Sequence, residues 1–353
     1  MREDSSRLVM RKFLVILLLL AAAATFAYLY YVRGLGVKPQ VAPPVAMPVG
    51  GATTTYAWSL LPQLPTPRTE VTAAELDGEL YVIGGFDGFG RTTGLVEDYR
   101  VADQRWRKLP DLPAPRHHAA AATANGRLYV FGGFSGVGFR PSAEAFAFDP
   151  QAQRWQPVSP LPNPRGAAAA AAIADRVYLV GGVGNAGVTG ELTVYDPALD
   201  EWATLTPMPT AREHLAAAAI NGKLAVAGGR VGSLERNLAT FEIYNPATDT
   251  WSAGPPMPTA RGGIAGAALG ALFVVVGGEQ PRATFAEAEA FDASRQAWIS
   301  LPPVPTPRHG LAAIGLGNQL FTLGGGKRPG LSVSGAHEVL TAQTTATGTP
   351  ETR

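Results

Sequence analysis

The sequence predicts an all-β protein built from six copies of one four-stranded antiparallel sheet, and three observations carry the prediction. The six tryptophans, Trp58, Trp106, Trp155, Trp202, Trp251 and Trp298, are each followed 26 residues later by a Gly-Gly pair, from Gly84-Gly85 to Gly324-Gly325. Both series step by 47 to 49 residues in the same order, and a fixed period of that length marks a repeat. Ten residues after each Trp stands an Arg (Arg68, Arg116, Arg165, Arg212, Arg261, Arg308), and seven before every Trp but the first stands an aromatic (Tyr99, Phe148, Tyr195, Tyr244, Phe291).

Each unit divides into four short apolar runs separated by turn signals, as in 116–123, Asn125-Gly126, 127–133, a glycine-rich loop, 143–149 and 154–158. That is a meander of four strands. Asp77-Gly78, Asn125-Gly126 and Asn221-Gly222 suit two-residue type I′ turns, whose central residues both need positive φ. The alanine runs 119–122 and 167–172 favour helix by propensity alone. The register of the other repeats places them in the first strand instead, and small side chains suit an innermost strand where sheets converge on an axis.

Gly-Gly closing a second strand, an aromatic in the third and Trp in the fourth, at a period near 50, resemble kelch repeats. The resemblance covers about 55–340 and implies a six-bladed β-propeller, one domain despite its length. The sixth unit begins at Arg308, has strands at 319–325 and 336–341, and meets no further Trp. The segment around Trp58 is therefore expected to supply its missing fourth strand, which leaves no open edge. Val339 or Leu340 takes the place of its aromatic.

The first residues set topology. Phe13 to Val32 is twenty residues without a charge, preceded by Arg2, Arg7, Arg11 and Lys12 and followed by Arg33 and Lys38. Its length suits a bilayer core, the charge bias favours a cytoplasmic N-terminus, and Tyr28, Tyr30 and Tyr31 suit the outer interface. A cleaved signal peptide is the rival, with Ala22-Ala23-Ala24 as small residues for a protease. The expected organisation is a cytoplasmic N-terminus at 1–12, a signal anchor at 13–32, an extended Pro/Gly-rich linker at 33–54, the propeller at 55–341 and a disordered tail at 342–353. The propeller is expected outside the cytoplasm, periplasmic or extracellular, on a single-pass anchor, and bacterial.

Formal net charge is +1 over 353 residues, which gives no argument for nucleic acid as a partner. Without Cys there is no disulfide, thiol nucleophile or Cys-bound zinc. The thioether-linked copper site of galactose oxidase, a related kelch propeller, is ruled out by the same absence.

By the resemblance, ligands sit where the loops joining strand 4 to strand 1 and strand 2 to strand 3 gather at one mouth of the channel. The 2-3 loops carry Arg91, Arg140, Arg230, Arg236, Arg282, Lys327 and Arg328 against Asp87, Glu235 and Glu279, while the opposite face holds ten acidic and six basic residues. A basic mouth attracts anions. His117, His118, His214 and His309, with Glu70 and Glu213, follow the repeat Arg by one or two positions and enter the same mouth. No metal site is expected, because His118 and His214 lie two blades apart and adjacent His117 and His118 alternate across a strand. The repeat Arg residues are expected to be scaffold, tied to carbonyls or to Glu97, Glu242 or Glu289.

No nucleophile, base and orienter can be picked from spacing. The expected function is an extracytoplasmic binding module, a monomer without cofactor, for an anionic protein or glycan. The alternative is a mutarotase for an acidic sugar, since bacterial sialic-acid mutarotases are similar six-bladed kelch proteins. Glu213, His214 and the loop Arg residues then supply acid/base chemistry and an anion clamp.

Overall fold

The computed structural model describes residues 3–49, 52–136 and 138–346; Arg2 and residues 347–353 of the expected tail lie outside them. Blade one shows the plan of all six, with strands Thr72–Leu76, Glu79–Ile83, Val96–Arg100 and Arg105–Leu109 paired in that order. Blades two to five repeat it within 120–158, 169–205, 216–253 and 265–300. The Asp77-Gly78, Asn125-Gly126 and Asn221-Gly222 turns all have positive φ at both residues. The alanine runs are strands, Ala120–Ala124 and Ala169–Ile173, and the first strands of successive blades touch in a cycle that includes Thr72–Leu76 against Ala312–Leu316.

Blade six is completed from the other end of the chain. Strand β2 (Ala52–Leu60) pairs with His337–Ala346, Trp58 facing Leu340. Every other repeat Trp faces the repeat aromatic, as Trp106 faces Tyr99, so Leu340 is the substituted position.

The three repeat markers act at the seams between blades. The second Gly of each pair donates its amide to the carbonyl of the next blade's Arg: Gly85 to Arg116, Gly133 to Arg165, Gly182 to Arg212, Gly229 to Arg261, Gly278 to Arg308 and Gly325 to Arg68, all at 2.8 to 3.0 Å. At Gly132 φ is +59° and a Cβ would overlap the Arg165 carbonyl oxygen, so only glycine allows the approach. Each Trp Nε1 donates to a carbonyl in the preceding blade's loop, including Trp58 to Pro302 at 2.7 Å and Trp106 to Pro62 at 2.9 Å. The repeat Arg side chains are buried and meet Glu97, Glu242, Glu289 and Glu338 in strand three and Glu144 and Glu191 just before it. Both kinds of expected partner, carboxylate and carbonyl, are present: Arg68 also donates to Gly84 O and Leu95 O.

The N-terminal segment differs from expectation. A helix, α1 (Glu3–Ala27), runs into a wider turn at Tyr28–Val32, and Phe13–Val32 is long and apolar enough to cross a membrane, a test a signal sequence also passes. The stretch expected as an extended linker, 33–54, packs on the propeller instead. Val333 donates its amide to Val32 O at 2.7 Å, and Gln40 donates to Pro305 O at 2.7 Å. Strand β1 (Val45–Val49) adds a fifth strand to blade six beside β2. Apolar side chains explain the capture: Met47 packs on the core of blades five and six. Residues 342–346, expected as tail, continue the last strand because β2 runs long enough to pair with them.

Candidate functional site

Two residues after each repeat Arg the chain turns through the left-handed region: Glu70 (φ +53°), His118 (+52°), Ala167 (+54°), His214 (+53°), Gly263 (+70°) and Gly310 (+56°). Their backbones form an arc around the axis. His118 N donates to Glu70 O, Ala167 N to His118 O, His214 N to Ala167 O, Gly263 N to His214 O and Gly310 N to Gly263 O, at 2.9 to 3.1 Å. Six residues so joined narrow the channel until side chains from different blades meet inside it.

There the expected separation of the histidines fails. His118 and His214 stand ring to ring with centroids 4.8 Å apart, and Glu70 Oε2 lies 3.1 Å from His118 Nε2. His117 and His118 do not alternate as in a strand, since His118 has left-handed φ, and their Nδ1 atoms are 2.6 Å apart. Next round the ring come His309 Nε2, 3.5 Å from both Glu70 and Glu279, and Arg230, whose guanidinium bridges Glu213 (3.1 Å) and Glu279 (2.8 Å). His214 Nδ1 abuts the Glu213 carboxylate. Burial pushes the Glu70 carboxyl up to about 7 against the pull of His309, and burial, aided by Arg230, holds His118 and His214 well below the usual imidazole range.

The other half of the mouth is aromatic. Phe86 and Phe134 directly follow the Gly-Gly pairs of blades one and two, the place Arg230 and Glu279 take in blades four and five. Phe86 stacks on His117 at 4.0 Å, and the half-exposed Phe139 packs on Phe134 and His117. The site thus has an apolar wall facing a charged wall.

The expected basic mouth is only partly realised. Arg140, Arg236 and Arg282 are exposed and make no ion pair among the described residues. Arg91 is exposed but paired with Asp87 at 2.7 Å. Arg230 is held between two carboxylates. Arg328 donates to Tyr30 O at 2.8 Å and covers the Tyr30 ring at 3.7 Å, and Lys327 Nζ reaches Val37 O at 3.5 Å. The N-terminal segment therefore engages two of the seven cations. With Glu70, Glu213 and Glu279 on the axis, the mouth has a basic rim and an acidic centre. His117 and His309 sit in the ring but bond largely to loop carbonyls, of Gly136 and of Gly326 and Gly330. Glu70 and Glu279 were not among the expected ligand residues: Glu70 had a signal in sharing its repeat position with His118 and His214, whereas Glu279 read only as a loop carboxylate.

The cavity on the axis, lined by Glu70, His118, Ala167 and His214 among others, measures about 80 Å³. A larger one of about 300 Å³ lies between blades five and six near Tyr56 and Leu269, on the opposite face and away from the ring.

Residues 51–208 match the KLHDC2/KLHL20/DRC7 kelch-repeats domain, and 211–258 match the kelch motif. No curated protein matches the chain. Among solved structures it is similar to that of YjhT, with a TM-score of 0.69 and 16% identity over 81% of this chain and 100% of that one, a likeness of fold. With six Trp-to-carbonyl and six Gly-to-Arg seams closing the ring, the chain is a kelch-repeat β-propeller protein.

Proposed function

We propose that this protein is a membrane-anchored binding module whose propeller mouth takes an acidic glycan on the extracytoplasmic side. The observation that supports it is a comparison within the ring. At equivalent positions blade three carries Gly166-Ala167 and blade five Gly262-Gly263, whereas blade four carries Glu213-His214. The scaffold accepts Gly and Ala there, so buried carboxylates and imidazoles answer a need other than folding, since burying charge costs free energy. An apolar wall facing a few convergent polar groups is the usual composition of a ligand site, and Arg140, Arg236 and Arg282 on the rim suit a carboxylate.

The docking of Tyr28–Val32 on the 2-3 loops of blades six and one supports a membrane-facing mouth. Tyr28 stacks with the exposed Phe89 at 6.1 Å, and Val32 is bonded to Val333. An anchor ending at Val32 keeps these loops near the bilayer surface.

Full-length protein in nanodiscs, titrated with N-acetylneuraminate, glucuronate and glucose by NMR, tests the reading. Saturable binding of the acidic sugars, weakened by salt and by Arg236→Glu/Arg282→Glu but not by Arg127→Glu/Arg176→Glu on the opposite face, is expected. Salt-indifferent binding of glucose alone, or equal behaviour of the two double variants, contradicts it. A second reading, a mutarotase for such a sugar, draws support from the Glu70–His118 pair, a carboxyl and an imidazole at 3.1 Å suited to acid/base work. Anomer exchange above the blank in the same experiment supports that reading.

A further inference from the structure

We propose that the propeller axis is a binding site for a divalent transition-metal ion of the zinc class, ligated by Glu70, His118 and His214. One ligand atom from each lies within 4.8 Å of the others, a spread that small rotamer changes bring to the roughly 2.0–2.2 Å bonds such an ion makes to imidazole and carboxylate. The left-handed backbone at all three positions and the hydrogen-bonded arc between them fix the side chains toward one point. The His214 side chain is nine-tenths buried, its Nδ1 abuts the Glu213 carboxylate, and its Nε2 has no hydrogen-bond partner. A buried ring nitrogen without a partner is costly, and an ion at Nε2 removes that cost.

Size and charge agree. About 80 Å³ at the centre of the ring suits an ion with a few waters. Around it stand Glu70, Glu213 and Glu279 with the single guanidinium of Arg230 between the last two, so the centre lacks positive charge. Two imidazoles and one carboxylate are the donors that zinc-like ions prefer, whereas calcium and magnesium require oxygen. His309, 3.5 Å from Glu70 and Glu279, is placed as an outer partner of the kind that orients ligands. Three protein ligands leave a coordination position open toward the mouth.

The inference uses the ring but no organic ligand, so it fails or stands independently of the glycan reading. The repeat itself supplies variants that fold: Ala167 holds the same φ as His118, His214 and Glu70, so alanine is tolerated at each. Full-length protein without a polyhistidine tag is stripped with chelator and titrated with ZnCl2 by calorimetry. One ion per chain is expected, not displaced by millimolar Mg2+ or Ca2+. His118→Ala and His214→Ala should each weaken binding at least about 100-fold, and His309→Gln about 10- to 100-fold, as outer partners do. Cobalt added instead of zinc should give a visible d–d spectrum that both His variants lose. Zinc uptake by wild type no greater than by the Glu70→Ala/His118→Ala/His214→Ala variant overturns the proposal.

Discussion

Gly325 donates its backbone amide to the carbonyl of Arg68 at 2.8 Å, joining the last blade to the first by the bond that joins every other pair. Trp58 Nε1 to Pro302 O is the matching indole seam, and Trp58 is buried. Trp58→Ala should cost about 3–5 kcal/mol, as for other buried aromatics, measured by chemical denaturation of the full chain. A cost below about 1 kcal/mol means β2 does not hold the ring closed.

Gly126 and Gly132 separate strain from crowding. Both have positive φ, but a Cβ at Gly126 meets nothing within 4 Å, whereas one at Gly132 overlaps Arg165 O. Gly126→Ala should lose about 1–2 kcal/mol from the left-handed backbone alone, and Gly132→Ala clearly more. Equal losses mean the seam relaxes freely.

Glu338 and Glu144 both meet a repeat Arg, yet in different surroundings. The Arg308–Glu338 pair is almost wholly buried, while the Glu144 side chain is 57% exposed. Glu338→Ala should cost about 3–5 kcal/mol, since it strands a buried guanidinium, and Glu144→Ala under about 1 kcal/mol.

The fold was legible because a repeat reports its architecture six times: any one alanine run reads as helix, but Ala120–Ala124 takes its register from Trp106 and Gly132. The site was less legible. His118 and His214 are separated by a whole blade in sequence, and their contact depends on a narrow ring of left-handed residues whose radius no spacing encodes. The Val45–Val49 strand was missed because Pro48 and its neighbours read as linker, and an outermost strand tolerates proline.

His337 gives a pH dependence away from the axis. It is buried, its Nδ1 is 3.0 Å from Pro62 O, and burial holds it down to about 4. In the unfolded chain it titrates near 6.5. A depressed folded pKa stabilises fully above about 6.5 and loses that contribution as pH falls toward 4, about 3 kcal/mol in all. His337→Asn keeps a donor for Pro62 and should flatten the fall in stability between pH 6.5 and 4.5 by about one proton. Parallel profiles contradict this.

Arg328 fastens the segment after the helix through Tyr30 O, Leu35 O and the Tyr30 ring. Arg328→Ala should release it, so trypsin should cut after Arg33 several-fold faster than in wild type. Unchanged cleavage means the remaining contacts suffice.

The central claim is that the polar ring at the mouth serves binding and not the fold. The most direct measurement is the metal-free melting temperature of Glu70→Ala/His118→Ala/His214→Ala at pH 7.5, in which three blades copy the Ala167 of blade three. The account predicts a temperature equal to or above that of wild type, because buried polar groups without full partners are removed. A drop of ten degrees or more, well beyond the roughly 2–4 °C that each 1 kcal/mol shifts a domain of this size, would show that the ring is scaffold after all.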